Sequence, residues 1–193
     1  MSTLAATLHI TESEKTALFG IASESLRRLY NAGYESNQAH MQEADKIEAE
    51  GVFVTMFVED GLRGCIGYVS GIDSVHDAVA ELTRKAATED PRFSPIQKNE
   101  LDAVRIEISL LGAFEVISPT DEIRIGTHGL VIEHGRNRGL LLPQVASSRN
   151  WSREDFLGAV CHKAGLHPEI LTDPKTTLKR FQCTKLEANL RDL

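Results

Sequence analysis

The sequence predicts an α+β protein: a mostly antiparallel sheet with helices, carrying a duplicated hairpin and helix unit and a smaller lobe. Three observations predict it. Apolar β-rich runs come in pairs joined by short Gly-containing links, at 52–58 with 62–69 and again at 130–133 with 139–142, the pattern of β-hairpins. Val104, Ile106, Ile108 and Leu110 alternate with Arg105, Glu107 and Ser109, which is a strand with one buried face. The order hairpin, loop, helix then occurs twice, at 52–87 and 129–165.

Each element has its own local cause. Thr11 and Glu14 are spaced as a capping box, and Leu18, Ile21, Leu26 and Leu29 follow at helical spacing until Asn31-Ala32-Gly33, so a first helix covers 12–31. The polar, acidic stretch 34–50 reads as a solvated connection with one weak helical turn near 38–46. Glu59-Asp60-Gly61 closes the first hairpin. Asp73 or Ser74 caps the next helix, whose face is Val75, Ala78, Val79, Leu82 and Ala86, and the two prolines of the 88–95 loop prevent its continuation. Weak strands are expected at 114–117 and 123–125. A turn at 135–138 closes the second hairpin, Ser152 and Gly165 bound its helix, and the tail from Pro174 reads as a strand with a frayed end.

At 193 residues with 41% apolar and 25% charged residues, the chain suits a single domain over 1–193 with a good core. A net charge of −7 opposes attraction to polyphosphate, which argues against nucleic acid as a partner. No apolar run approaches the roughly 20 residues of a membrane helix, and the N-terminus lacks a signal-peptide pattern, so a cytoplasmic protein is expected. Cys65, Cys161 and Cys183 are odd in number and widely spaced, which fits reduced thiols.

The richest segment is Leu62-Arg63-Gly64-Cys65-Ile66-Gly67. Glycine weakens a strand and is tolerated where a ligand or another backbone comes close, so Gly64 and Gly67 mark an approach to the Cys65 sulfur. Strand alternation puts Arg63 and Cys65 on one face, with Leu62, Gly64 and Ile66 on the other. A cation beside a thiol favours the nucleophilic thiolate. The 104–110 strand offers Glu107 on its polar side, and if both strands share a sheet, Arg63, Cys65 and Glu107 line one surface. The alternative reading is a packed core cysteine and a solvated carboxylate.

These residues resemble the AMMECR-one domain family, whose bacterial members are called AmmeMemoRadiSam system protein A. The resemblance covers 51–181, beyond the N-terminal helix and connection of 1–50. It is carried by Gly51-Val52-Phe53-Val54-Thr55, the LRGCIG hexapeptide, Asp90-Pro91-Arg92-Phe93, Ile106-Glu107-Ile108-Ser109, Gly126-Thr127-His128-Gly129-Leu130, Gly139-Leu140-Leu141-Leu142-Pro143-Gln144-Val145-Ala146 and the CHKAGL stretch. It implies an α+β fold with a smaller lobe, and a pathway shared with Memo-like and radical SAM proteins. It implies no established reaction. After Leu166 the chain lacks the tryptophan expected of the family.

Further candidates are His128 as a proton carrier or a turn residue, Gln144 as a hydrogen-bonding ligand contact, and Arg92 as an anion clamp or surface ion pair. Cys161, His162, His167 and Cys183 have metal-ligand chemistry without a ligand spacing, so no metal or other cofactor is expected. Two functions follow. One is an enzyme using the Cys65 thiolate on a small molecule, with Glu107 or His128 moving protons; the other is a noncatalytic ligand-binding or adaptor subunit. Self-association and the Memo-like and radical SAM proteins are the macromolecular contacts expected.

Overall fold

The computed structural model describes residues 7–30 and 38–193. The chain forms two compact units. One is built from the described residues of His9–Leu110 with Thr184–Leu193, the other from Leu111–Cys183 with Thr7 and Leu8.

The first unit opens with α1 (Glu12–Arg28), started by the expected capping box: Thr11 Oγ1 accepts the Glu14 amide at 3.2 Å and Glu14 accepts the Thr11 amide at 2.8 Å. The expected stop at Asn31-Ala32-Gly33 lies outside the described residues. The weak turn is a true helix, α2 (Gln38–Ala44), because it has packing partners in α1 and α3. The hairpin is β1 (Gly51–Val58) and β2 (Gly61–Tyr68), with Glu59 and Asp60 both at positive φ (49° and 66°) as a type I′ turn requires. Next comes α3 (Val75–Thr88), capped by Ser74 rather than Asp73: its hydroxyl accepts the Asp77 amide at 3.0 Å. A short 3₁₀ turn at Lys98–Ala103 leads into β3 (Val104–Leu111). Strand order in this unit is β2-β1-β3, then the C-terminal part of β7 (Thr177–Asn189). Val52, Val54, Met56, Ile106 and Ile108 of the sheet and Leu18, Leu26, Val79 and Leu82 of α1 and α3 are all fully buried in its core, and each such side chain contributes about 1.5–3 kcal/mol.

The second unit contains β4 (Glu115–Ile117), β5 (His128–His134), β6 (Asn137–Leu141), α4 (Pro143–Ser148), α5 (Arg153–Lys163) and the N-terminal part of β7. Strand order is β6-β5-β7, with β4 also on β7. Every pairing with a defined register is antiparallel. Ser152 caps α5 as expected, accepting the Asp155 amide at 3.1 Å, and Phe156, Val160 and Cys161 pack against Leu130, Ile132 and Leu178.

Two expectations fail for identifiable reasons. No strand forms at 123–125, since the Arg124 carbonyl accepts the amides of Thr127 and His128 (3.1 and 2.9 Å) in a tight turn. The tail does form the expected strand, the 13-residue β7, but it ends in a 3₁₀ turn at Leu190–Asp192 and not in a frayed end. Its polar and apolar residues fail to alternate cleanly because different stretches of it serve different units.

Candidate functional site

β2 is the edge strand of its sheet, and the hexapeptide contains a β-bulge. Val54 opposes Ile66, Thr55 opposes Cys65 and Met56 opposes Gly64, but the next residue, Phe57, opposes Leu62. Arg63 is therefore the extra residue. A bulge resets the alternation of side chains, so Leu62 lies on the face of Phe57, Thr55 and Cys65 instead of joining Gly64. That leaves Leu62 39% exposed where simple alternation buries it.

The spaces beside the two glycines are filled by the protein itself. A Cβ on Gly64 would stand 1.8 Å from the Ala86 carbonyl oxygen of α3, and one on Gly67 would stand 2.3 Å from the Phe53 ring. Gly64 is a seat for a helix and Gly67 a seat for an aromatic ring.

Cys65 is half-buried, and its sulfur accepts the Thr55 hydroxyl at 3.3 Å. Both of its main-chain polar groups are held by one side-chain pair from the Asp90-Pro91-Arg92-Phe93 loop. The Cys65 amide donates to Asp90 Oδ2 at 2.9 Å, and the Cys65 carbonyl accepts from Arg92 Nη2 at 3.2 Å. Asp90 in turn takes Arg92 Nε at 2.9 Å, Arg92 Nη2 at 2.7 Å and the Arg92 amide at 3.1 Å. An edge strand exposes unpaired main-chain groups; here an ion pair replaces the missing neighbour strand. The Arg92 guanidinium, supported by the Cys65 and Arg92 amides, holds the Asp90 carboxyl far below the aspartate range despite its burial. Asp90 belongs to the site although its sequence signal was only membership of a quoted motif.

Arg63 does not lie free beside the thiol. Glu100 takes its Nη1 and, at 3.2 Å, its Nη2, which also donates to the Ser94 carbonyl at 3.3 Å. Arg105 stacks over Phe57 at 4.1 Å, so Arg105, Glu107 and Ser109 share the Cys65 face of the sheet, as expected. β1 runs between Cys65 and Glu107. Glu107 is buried and paired with Lys185 Nζ at 2.6 Å, so it is no solvated strand carboxylate.

His128 and Gln144 belong to the second unit. His128 opens β5, buried, with Nδ1 accepting the Arg124 amide at 3.1 Å; the neutral ring therefore carries its proton on Nε2. Burial, helped by Arg180 and Arg124, pushes its pKa down. Gln144 is half-buried near the start of α4. Cys161 is fully buried and its thiol is pushed up by desolvation. Among the described residues no group of three or more His, Cys, Asp or Glu side chains converges as a metal site. A hollow of about 520 Å³ in the first unit, lined by Phe19, Gly20, Glu24 and His40 among others, contains none of the residues singled out from sequence. Among the described residues no helix is long and apolar enough to cross a membrane.

The profile of the family described as AMMECR1 matches residues 19–186, extending past both ends of the 51–181 stretch that carries the resemblance. A protein of Methanothermobacter thermautotrophicus is 47% identical over 141 residues, covering 70% of this chain and 73% of its own. Protein TK0174 of Thermococcus kodakarensis is 41% identical over 144 residues, covering 69% and 70%. Among solved structures, the uncharacterised protein PH0010 of Pyrococcus horikoshii superposes with a TM-score of 0.80 at 32% identity, covering 92% of this chain and 93% of that one.

Proposed function

The chain belongs to the AMMECR1 family, and from that premise we propose that it acts on a small molecule through the Cys65 thiol. The observation that carries this reading is the pairing of the sulfur of half-buried Cys65 with the Thr55 hydroxyl on a strand whose edge is pinned at Cys65 itself. A hydroxyl donated to sulfur stabilises the thiolate, which is the nucleophilic form. Clamping both main-chain groups of Cys65 fixes the nucleophile's position, and fixed geometry lowers the entropic cost of attack. The pathway we propose for it is the one the family resemblance implies, shared with Memo-like and radical SAM proteins.

The test is residue-resolved alkylation of native protein with iodoacetamide, followed by mass spectrometry. Cys65 is expected to react first and Cys161, buried in the core, to stay protected until unfolding. A Cys65 no faster than Cys161 defeats the reading. Intact mass of freshly purified protein, compared with Cys65→Ser, adds a second readout: a covalent adduct present only in the wild type supports a reacting thiol.

A further inference from the structure

We propose that the molecule on which Cys65 acts carries an oxyanion, a carboxylate, beside its reactive atom, and that Arg92 seats it. This rests on the reading of Cys65 given above. A guanidinium has five N–H groups. In Arg92, Nε donates to Asp90, and Nη2 donates once to Asp90 and once to the Cys65 carbonyl. Neither hydrogen of Nη1 meets an oxygen acceptor among the described residues, and the Cys65 side chain lies within reach of the guanidinium. The pair is also polarised outward. The Asp90 side chain is 3% exposed and that of Arg92 57% exposed, so the negative end is buried and the positive end faces solvent beside Cys65, whose carbonyl it holds.

The guanidinium is fixed as well as exposed. Asp90 grips one edge, the Cys65 carbonyl another, and the guanidinium carbon lies over the Phe93 ring, 5.2 Å from its centroid. Little side-chain entropy remains to be lost when a carboxylate arrives, and the hydrogen bonds formed are charge-assisted. Arg63 offers no such seat, since Glu100 occupies its fork.

Two reagents that differ only in charge isolate the claim. With iodoacetate and with iodoacetamide the sulfur lone pair forms a C–S bond to the same methylene carbon, and iodide leaves with the bonding pair. Only iodoacetate carries a carboxylate. The ratio of the iodoacetate rate to the iodoacetamide rate should be higher at Cys65 than at Cys183, and should fall in the wild type as salt is raised, because an exposed cation is screened. In Arg92→Gln the ratio should fall about tenfold, the worth of one hydrogen bond to a charged group. Arg92→Lys, which keeps the charge without the fork, should retain part of it. An unchanged ratio in Arg92→Gln together with salt independence in the wild type overturns the proposal. So does a parallel fall of both rates in that variant, which would mean that Arg92 supports Cys65 without meeting the anion. Either result leaves the Cys65 reading intact, since that fails only if iodoacetamide does not prefer Cys65. The salt series needs no variant and decides the matter even if the substitutions impair folding.

Discussion

The hairpin β1-β2 with α3 and the hairpin β5-β6 with α5 are built on one plan, and their differences separate what the fold needs from what it does not. Each turn has two residues, and each second strand carries Arg-Gly: Arg63-Gly64 in one and Arg138-Gly139 in the other. Each glycine seats its helix. A Cβ on Gly64 would meet the Ala86 carbonyl at 1.8 Å, and one on Gly139 would meet the Val160 carbonyl at 2.8 Å and the Ala164 amide at 2.7 Å. Each arginine is tied to a glutamate, Glu100 or Glu133. The next position differs. Cys65 opposite Thr55 is matched by Leu140 opposite Val131, and the bulge at Arg63 has no counterpart in the unbroken register of β5-β6. Arg-Gly is thus a packing device used twice. The thiol, its hydroxyl partner and the Asp90–Arg92 clamp are the additions of one copy, and no packing need shared by both hairpins explains them.

The largest effect expected from breaking this plan is steric. Gly64→Ala forces a methyl into a main-chain carbonyl, which cannot yield as a side-chain tip can, and should cost about 3 kcal/mol or more. Gly139→Ala meets backbone at longer distances and should cost less, about 1–3 kcal/mol. Urea unfolding of both variants checks the order. A Gly64→Ala protein as stable as the wild type would show that this glycine serves an opening and not a helix seat.

Next in size is the clamp. Asp90→Asn removes the charge that holds Arg92, and should destabilise by about 1–3 kcal/mol, discounted from a fully buried pair because Arg92 is largely in water. The folded carboxyl is depressed, so its stabilisation is fully present above the ordinary aspartate range and is lost as pH falls through it. The wild-type advantage over Asp90→Asn should therefore be constant near neutrality and shrink below about pH 4. Denaturant midpoints of both proteins across that range give the answer, and a pH-independent difference would contradict the role given to Asp90.

A smaller effect sharpens the comparison at its centre. Thr55→Val gives hairpin one the Val131 counterpart of hairpin two. Stability should move by less than about 1 kcal/mol, while the Cys65 reaction with iodoacetamide slows several-fold for want of the hydroxyl. Unaltered alkylation would reduce the Thr55 contact to packing.

These contrasts also explain which features could be read from the residues alone. Alternation and capping are local, so α1, α3, α5, both hairpins and the shared face of Cys65 and Glu107 were all legible. The bulge was not: an extra residue becomes visible only against the partner strand, and without it Leu62 is sent to the wrong side. The partner of Arg63, thirty-seven residues away at Glu100, and the partner of the Cys65 amide at Asp90 are tertiary choices with no local signal. Of β7 the existence of a strand was legible but not its length, as its two stretches face different neighbours and average to no period.

The smallest effect concerns a buried polar residue that hairpin two holds where hairpin one is apolar. Counting back from the matched pair Thr55 and Val131, His128 occupies the place of Val52, and both are buried. An imidazole there is tolerated because its Nδ1 takes the Arg124 amide, and the desolvation that pushes its pKa down keeps the ring neutral in the fold. The unfolded chain, with an ordinary histidine, binds a proton below about pH 6.5 that the folded ring resists. Below that pH the unfolded state holds more protons, so stability contributed by neutral His128 should decline as pH falls and recover as it rises. His128→Gln should remove this slope. If the ring's own carbon-bound proton resonances titrate at or above the ordinary histidine value, His128 is not the desolvated group that its burial implies, and the match to Val52 is one of backbone only.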